Sequence, residues 1–164
     1  MREAILFLFS VSSGALLFAA NPQPKEKDMT TARLRTHAVA KVTVESSDAK
    51  PYDQTAGPAL LEIDLSEKFT GDIDGESPVR ALQVRRDDHS ASLVSLQRFR
   101  GKLSGREGTF VLQGSETVEK GKIKATWFVV PGSGTGDLSG LRGVGGFAGD
   151  FGKGSDATLD YWFE

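Results

Sequence analysis

The chain contains no cysteine. Disulfides, thiolate nucleophiles and cysteine-ligated zinc or iron–sulfur centres are therefore excluded. Histidine is scarce as well, with only His37 and His89 present. Neither sits in an HExxH segment or at metal-ligand spacing, so no metal site is expected. No GxSxG elbow supports a hydrolase triad. Charge of one sign is lacking too: 20 Lys and Arg face 22 Asp and Glu, a net charge of −2. That balance offers no basic stripe, so nucleic acid is not an expected partner. A long helical period is also missing. Residues 30–40 form a helix by propensity at most, diluted by Thr, Val and His. What remains is 164 residues, enough for one domain with a core that needs no cross-links.

One apolar run stands out. Residues 4–20, AILFLFSVSSGALLFAA, carry no charge and follow Arg2. Small Ala19 and Ala20 close the run, and the polar stretch NPQPKEKD comes next. This is the order of a secretory signal peptide. Residues 1–20 are read as that signal, residues 21–36 as a disordered linker, and residues 37–164 as a β-barrel domain. The expected location is exported, periplasmic or secreted. An uncleaved signal would leave the N-terminal segment as the sole membrane contact, and translation from Met29 would leave the protein cytoplasmic.

From Val39 onward the period is two. Val42 and Val44 alternate with Lys41, Thr43 and Glu45, and Leu61, Ile63 and Leu65 alternate with Glu62, Asp64 and Ser66. Alternation gives each strand one buried and one solvated face. Glu62 and Asp64 are thereby expected on an outer face. Further strands are expected over residues 78–86, 90–100, 108–114, 122–130 and 157–164. Turn signals DDHS, SGREG and EKGK separate several of them. In the first, His89 follows Asp87 and Asp88 in a predicted hairpin turn; His37 is placed in or beside the linker. About seven or eight short strands at this spacing predict an all-β protein, a closed antiparallel barrel of about eight strands.

More than half of the glycines fall between Gly132 and Gly154. PGSGTG at 131–136 resembles a phosphate loop at first sight. No Lys-Ser or Lys-Thr follows it, and a GxGxxG register from Gly134 places Ser139 where the third glycine belongs. It is read as a structural corner, with a short helical turn over 137–142 and Asp137 as its N-cap. No cofactor is expected.

The candidate binding residues come from strand faces. Trp127 shares a face with Ile123, Ala125 and Val129, and Tyr161 shares one with Leu159 and Phe163. Both read first as core. Each also carries a polar tip that needs a partner, which makes them cavity candidates. Ala91, Leu93, Ser95, Gln97 and Phe99 share another face. If that face points inward, Ser95 and Gln97 are buried polar groups able to orient a ligand, with a water-satisfied core glutamine as the alternative.

The segment TWFVVPGSGTGDLSGLRGVGGF, residues 126–147, resembles domain-of-unknown-function family 3224. KPYD at 50–53, GPALLEIDLSEKFTGDIDGES at 57–77, SASLVSLQRFRGKLSGREGTFVLQ at 90–113 and the terminal TLDYWFE agree in order. The resemblance covers about residues 38–164 and implies an eight-stranded barrel like that of allene oxide cyclase, with a central cavity. Relatives often carry Trp in the segment where this chain has Ser46 and Ser47. They often carry Glu at the positions of Gln97 and Val144 and His at that of Gly114, so acid–base chemistry is not carried over to those positions.

The function is not named by any of these features. The leading expectation is a barrel binding a small apolar molecule, with Ser95, Gln97, Trp127 and Tyr161 as candidate lining. The alternatives are an isomerase or cyclase acting on a small apolar substrate, and a non-catalytic structural or interaction protein with a filled barrel. An enclosed space of several hundred Å3 separates the first two from the third. A carboxylate pointing into it favours an enzyme over a binder. Oligomeric state is not readable.

Overall fold

Strands with one apolar face must pair that face with others, and a sheet that closes on itself leaves the fewest unpaired edges. The computed structural model describes residues 34–164, in which this is the outcome. The expected signal segment 1–20 and the expected linker as far as residue 33 lie outside the described residues. Eight strands run in order: β1 (Thr36–Asp53), β2 (Ala59–Gly71), β3 (Ile73–Asp87), β4 (Ser90–Leu103), β5 (Arg106–Glu119), β6 (Lys122–Val129), β7 (Leu141–Asp150) and β8 (Gly154–Phe163). Each pairs antiparallel with the next, and β1 pairs with β8 from Thr36↔Tyr161 to Val42↔Ser155, closing the barrel. The far part of β1, Ser46–Asp53, continues along β2 alone beyond an irregularity at Val44/Ser46. Its free edge carries Lys50 and Pro51, residues that discourage a further strand from adding.

Hairpins follow from the local sequence. Ser104 (φ 48°) and Gly105 (φ 85°) turn β4 into β5, and Lys120 (φ 53°) and Gly121 (φ 75°) turn β5 into β6. Positive φ at both central residues matches the right-handed twist of the flanking strands. His89 lies in the β3–β4 turn, where its backbone N–H donates to Asp87 Oδ1 at 2.7 Å.

Three local expectations are corrected. His37 lies within β1, its Nδ1 2.6 Å from Asp160 Oδ1 on the neighbouring β8. Strand pairing with β8 also overrides the weak helical propensity from Thr36 onward. The short helical turn is a 3-10 turn at Gly136–Leu138 with Thr135 at its N-cap. Asp137 is inside that turn, and Arg142 belongs to β7. The third correction is β7 itself, a glycine-rich strand over residues where no strand was expected. Glycine weakens a strand because it packs nothing, but here the missing side chains are used. A Cβ on Gly145 would stand 2.0 Å from Thr158 O and 2.9 Å from Trp127 Nε1. The bare backbone lets β7 run close beneath the indole.

The interior divides along the barrel axis. Phe69, Phe99, Phe110, Leu112, Trp127, Leu138, Leu141, Leu159 and Tyr161 belong to one cluster. Its rings meet edge-to-face or tilted, with Phe69–Phe99 centroids 5.8 Å and Phe99–Phe110 4.8 Å apart. Leu61, Ile63, Ala81, Ala91, Leu93 and Val118 form a smaller cluster at the other end. On β2, β4 and β5 the inward residues between the two clusters are Glu67, Ser95, Gln97 and Glu116.

Candidate functional site

The residues between the two clusters border an interior cavity of about 290 Å3. Ile63, Leu65, Val79, Ala81, Leu93, Ile123 and Phe147 supply apolar wall, and Glu67, Gln83, Ser95, Gln97 and Glu116 supply polar atoms. Phe151 and Gly152 of the β7–β8 turn, with Asp150 and Gly154 at the flanking strand ends, also line it. The volume lies near the lower end for small-molecule sites, about 300–1,000 Å3. A larger groove of about 1000 Å3 crosses the outer face of the sheet, bordered by Leu82, Val94, Leu96, Phe128 and Val144. It is open to solvent and lacks the inward carboxylates.

Backbone alternation explains how each polar group reaches the interior. Glu67 shares the inward parity of Leu61, Ile63 and Phe69 on β2. Glu116 shares that of Phe110, Leu112 and Val118 on β5. Glu67 is only 7% exposed and Glu116 6%. Burial is the larger cause that pushes Glu67 up to about 7, and the charge of Glu116 adds to it. Glu116 is also raised by burial, against the opposing hydrogen bond from Ser95. Removing a carboxylate from water disfavours its charged form, and a like charge nearby disfavours it further.

Partners are few. Ser95 Oγ donates to Glu116 Oε1 at 2.5 Å. Glu67 Oε2, Glu116 Oε2, Gln97 Oε1 and Ser77 Oγ are buried without a hydrogen-bond partner. An unpartnered buried acceptor costs about 1–3 kcal/mol. Gly114 has a share in this arrangement, since a Cβ there would stand 2.5 Å from Glu116 Oε1 and 2.6 Å from Ser95 Oγ. Its bare backbone leaves the serine–carboxylate pair the space it occupies.

Of the four residues singled out from the sequence, Ser95 and Gln97 line the cavity together. Trp127 and Tyr161 lie in the large apolar cluster and are not among the cavity residues. The Trp127 indole packs on Phe69 and Phe147, and its Nε1 donates to Thr158 O at 3.3 Å. Tyr161 packs edge-to-face on Phe163. Glu62 and Asp64 face outward, both paired with Arg80. Glu67, Gln83 and Glu116 were missed. Their signal was available, because each carries a polar group at an inward position of an alternating strand.

The arrangement can hold a small molecule by hydrogen bonds and can exchange a proton with it near neutral pH. Among the described residues no group of three or more His, Asp or Glu could hold a metal ion.

Comparison with known proteins agrees with the barrel. No curated protein matches the chain. A crystal structure of a protein of unknown function from the DUF3224 family of Shewanella oneidensis MR-1 is similar, with 27% identity and a TM-score of 0.63. The match covers 80% of this chain and 99% of that one. The family profile described as protein of unknown function (DUF3224) matches residues 38–162. That span takes in nearly the whole barrel, and the chain belongs to the DUF3224 family.

Proposed function

We propose that the barrel takes a small molecule with an apolar body into its interior and orients it through Glu67, Gln97 and Glu116. One observation carries the reading: an interior cavity of about 290 Å3 is lined by residues with buried polar atoms that nothing in the protein pairs. Buried polar groups are kept unpaired at a cost, and a ligand that pairs them recovers it. Apolar wall around a few convergent polar groups is the usual make-up of a small-molecule site. Native mass spectrometry of gently purified protein is the direct test. A bound small molecule is expected on the native chain and not on the Ala81→Phe variant, whose added ring fills the cavity. Equal ligand occupancy in both proteins would count against this site.

A second reading, isomerisation of the bound molecule by proton transfer, has its own support. Glu67 titrates at about 7, where a carboxyl group serves as acid and base alike. Solvent deuterium entering the bound molecule at pH 7, and failing to enter with Glu67→Gln, is the expected signature. We place the protein outside the cytoplasm, on the charge-free run of residues 4–20 and the small residues that end it. N-terminal sequencing of the exported protein is expected to start near residue 21.

A further inference from the structure

We infer that the molecule this cavity is built for is a cation, a small amine with one ammonium head and an apolar body. The inference rests on the binding reading and names the ligand class for the same site. The argument is one of donors and acceptors. The cavity is lined by three carboxyl groups, Glu67, Glu116 and Asp150, and by no Lys, Arg or His. Lys122, close by, is engaged with Asp150. The buried, unpartnered atoms of the lining residues are Glu67 Oε2, Glu116 Oε2 and Gln97 Oε1, all acceptors once the carboxyl groups are ionised, as at pH 8. Gln97 is 5% exposed. If the Gln97 amide is turned over, the two carboxyl oxygens still lack donors. The Ser95 hydroxyl is already spent on Glu116.

A primary ammonium carries three donors and no acceptor, so it answers such a set where other ligands do not. A carboxylate or phosphate would bring like charge to two buried acids. A ketone or ester would add acceptors and leave the existing ones unpaired. An alcohol brings a single donor and no charge. A divalent metal ion would want a cluster of ligands that the described residues do not form. Ile63, Val79, Leu93 and Phe147 line the cavity; they suit a hydrocarbon or aryl body and disfavour a second charge.

Isothermal titration calorimetry on the full chain at pH 8, with three probes of like shape, tests the assignment: 2-phenylethylamine, 2-phenylethanol and phenylacetate. The amine is expected to bind about tenfold or more tightly than the alcohol, and phenylacetate not to bind, since a buried charge pair outweighs a neutral contact by that much. Glu67→Gln and Glu116→Gln keep the side-chain shape and a hydrogen-bonding head. Each is expected to bring the amine down toward the alcohol and leave the alcohol unchanged. The proton count gives a second readout. Near pH 6 Glu67 is largely protonated while Glu116 and Asp150 share its cavity. Amine binding there is expected to release protons, seen as a buffer-dependent heat, and to release fewer at pH 8.5 or with Glu67→Gln. Equal affinity for alcohol and amine, or binding of alcohol or phenylacetate in preference to the amine, overturns the cation and leaves the cavity standing as a binding site. Failure of all three to bind overturns both readings.

Discussion

The two ends of this barrel are built from the same eight strands and handled in opposite ways. At one end the inward positions of β2, β4 and β5 carry Phe69, Phe99 and Phe110, all fully buried, and the interior is filled by rings in contact. A few residues along the same strands, the inward positions carry Glu67, Gln97, Ser95 and Glu116 beside an open space. The filled end supplies stability through apolar burial. The open end gives some of it up, because carboxyl oxygens without partners are held away from water. Sites that cost the fold stability in this manner are where function is to be sought.

The largest expected effect falls at the filled end. Phe99→Ala removes a ring packed against Phe69 and Phe110 and is expected to cost about 3–5 kcal/mol in urea unfolding. Leu93→Ala shortens a side chain that lines the cavity rather than one enclosed by packed rings and is expected to cost less, near the lower limit of about 2 kcal/mol for such truncations. Equal losses at the two positions would erase the distinction between the ends.

Glu67 gives the next effect, and its sign is opposite. Between pH 4.5 and about 7 the folded chain keeps a proton on Glu67 that the unfolded chain has released. Stability therefore falls as pH rises through that window, and the penalty is full above it. Its size is about 3 kcal/mol at one pKa unit per 1.36 kcal/mol. Glu67→Gln is expected to raise stability by up to that amount at pH 8 and by nothing near pH 4. A Glu67→Gln variant with an unchanged or lower urea midpoint at pH 8 would mean that the acid is already paired.

A smaller effect tests the close approach behind Trp127. Gly145→Ala drives a methyl group toward Thr158 O and the indole and is expected to cost about 1–3 kcal/mol, as overpacking does. The smallest belongs to the outer surface. Arg80 pairs with Glu62 and Asp64 while remaining largely exposed. Arg80→Ala is expected to change stability by about 1 kcal/mol or less and to leave ligand binding untouched, since these groups face away from the cavity.

Much of this was legible in the chain. The alternation of Leu61, Ile63 and Leu65 with Glu62 and Asp64 correctly put the acids outside. The same rule, carried two residues further, puts Glu67 inside, and it does the same for Glu116 beyond Leu112. Ser95 and Gln97 were found because their face also holds Leu93 and Phe99. β7 was hidden for a different reason. A strand is recognised by side chains that pack, and Gly143, Gly145 and Gly146 have none to show. Trp127 and Tyr161 carry polar tips wherever they sit, so their chemistry alone could not distinguish cavity from core.

The sequence by itself determined which side chains point inward, because neighbouring side chains on a strand take opposite faces whatever the strand pairs with. It also determined that these inward sets include acids. Only the tertiary structure decided that Glu67 on β2 and Glu116 on β5 share one space, where the charge of Glu116 raises the cost of ionising Glu67. They belong to strands that are not neighbours. Their meeting depends on the register of every hairpin between them and on the closure of β8 onto β1. These are long-range pairings, and no local stretch of chain encodes their sum.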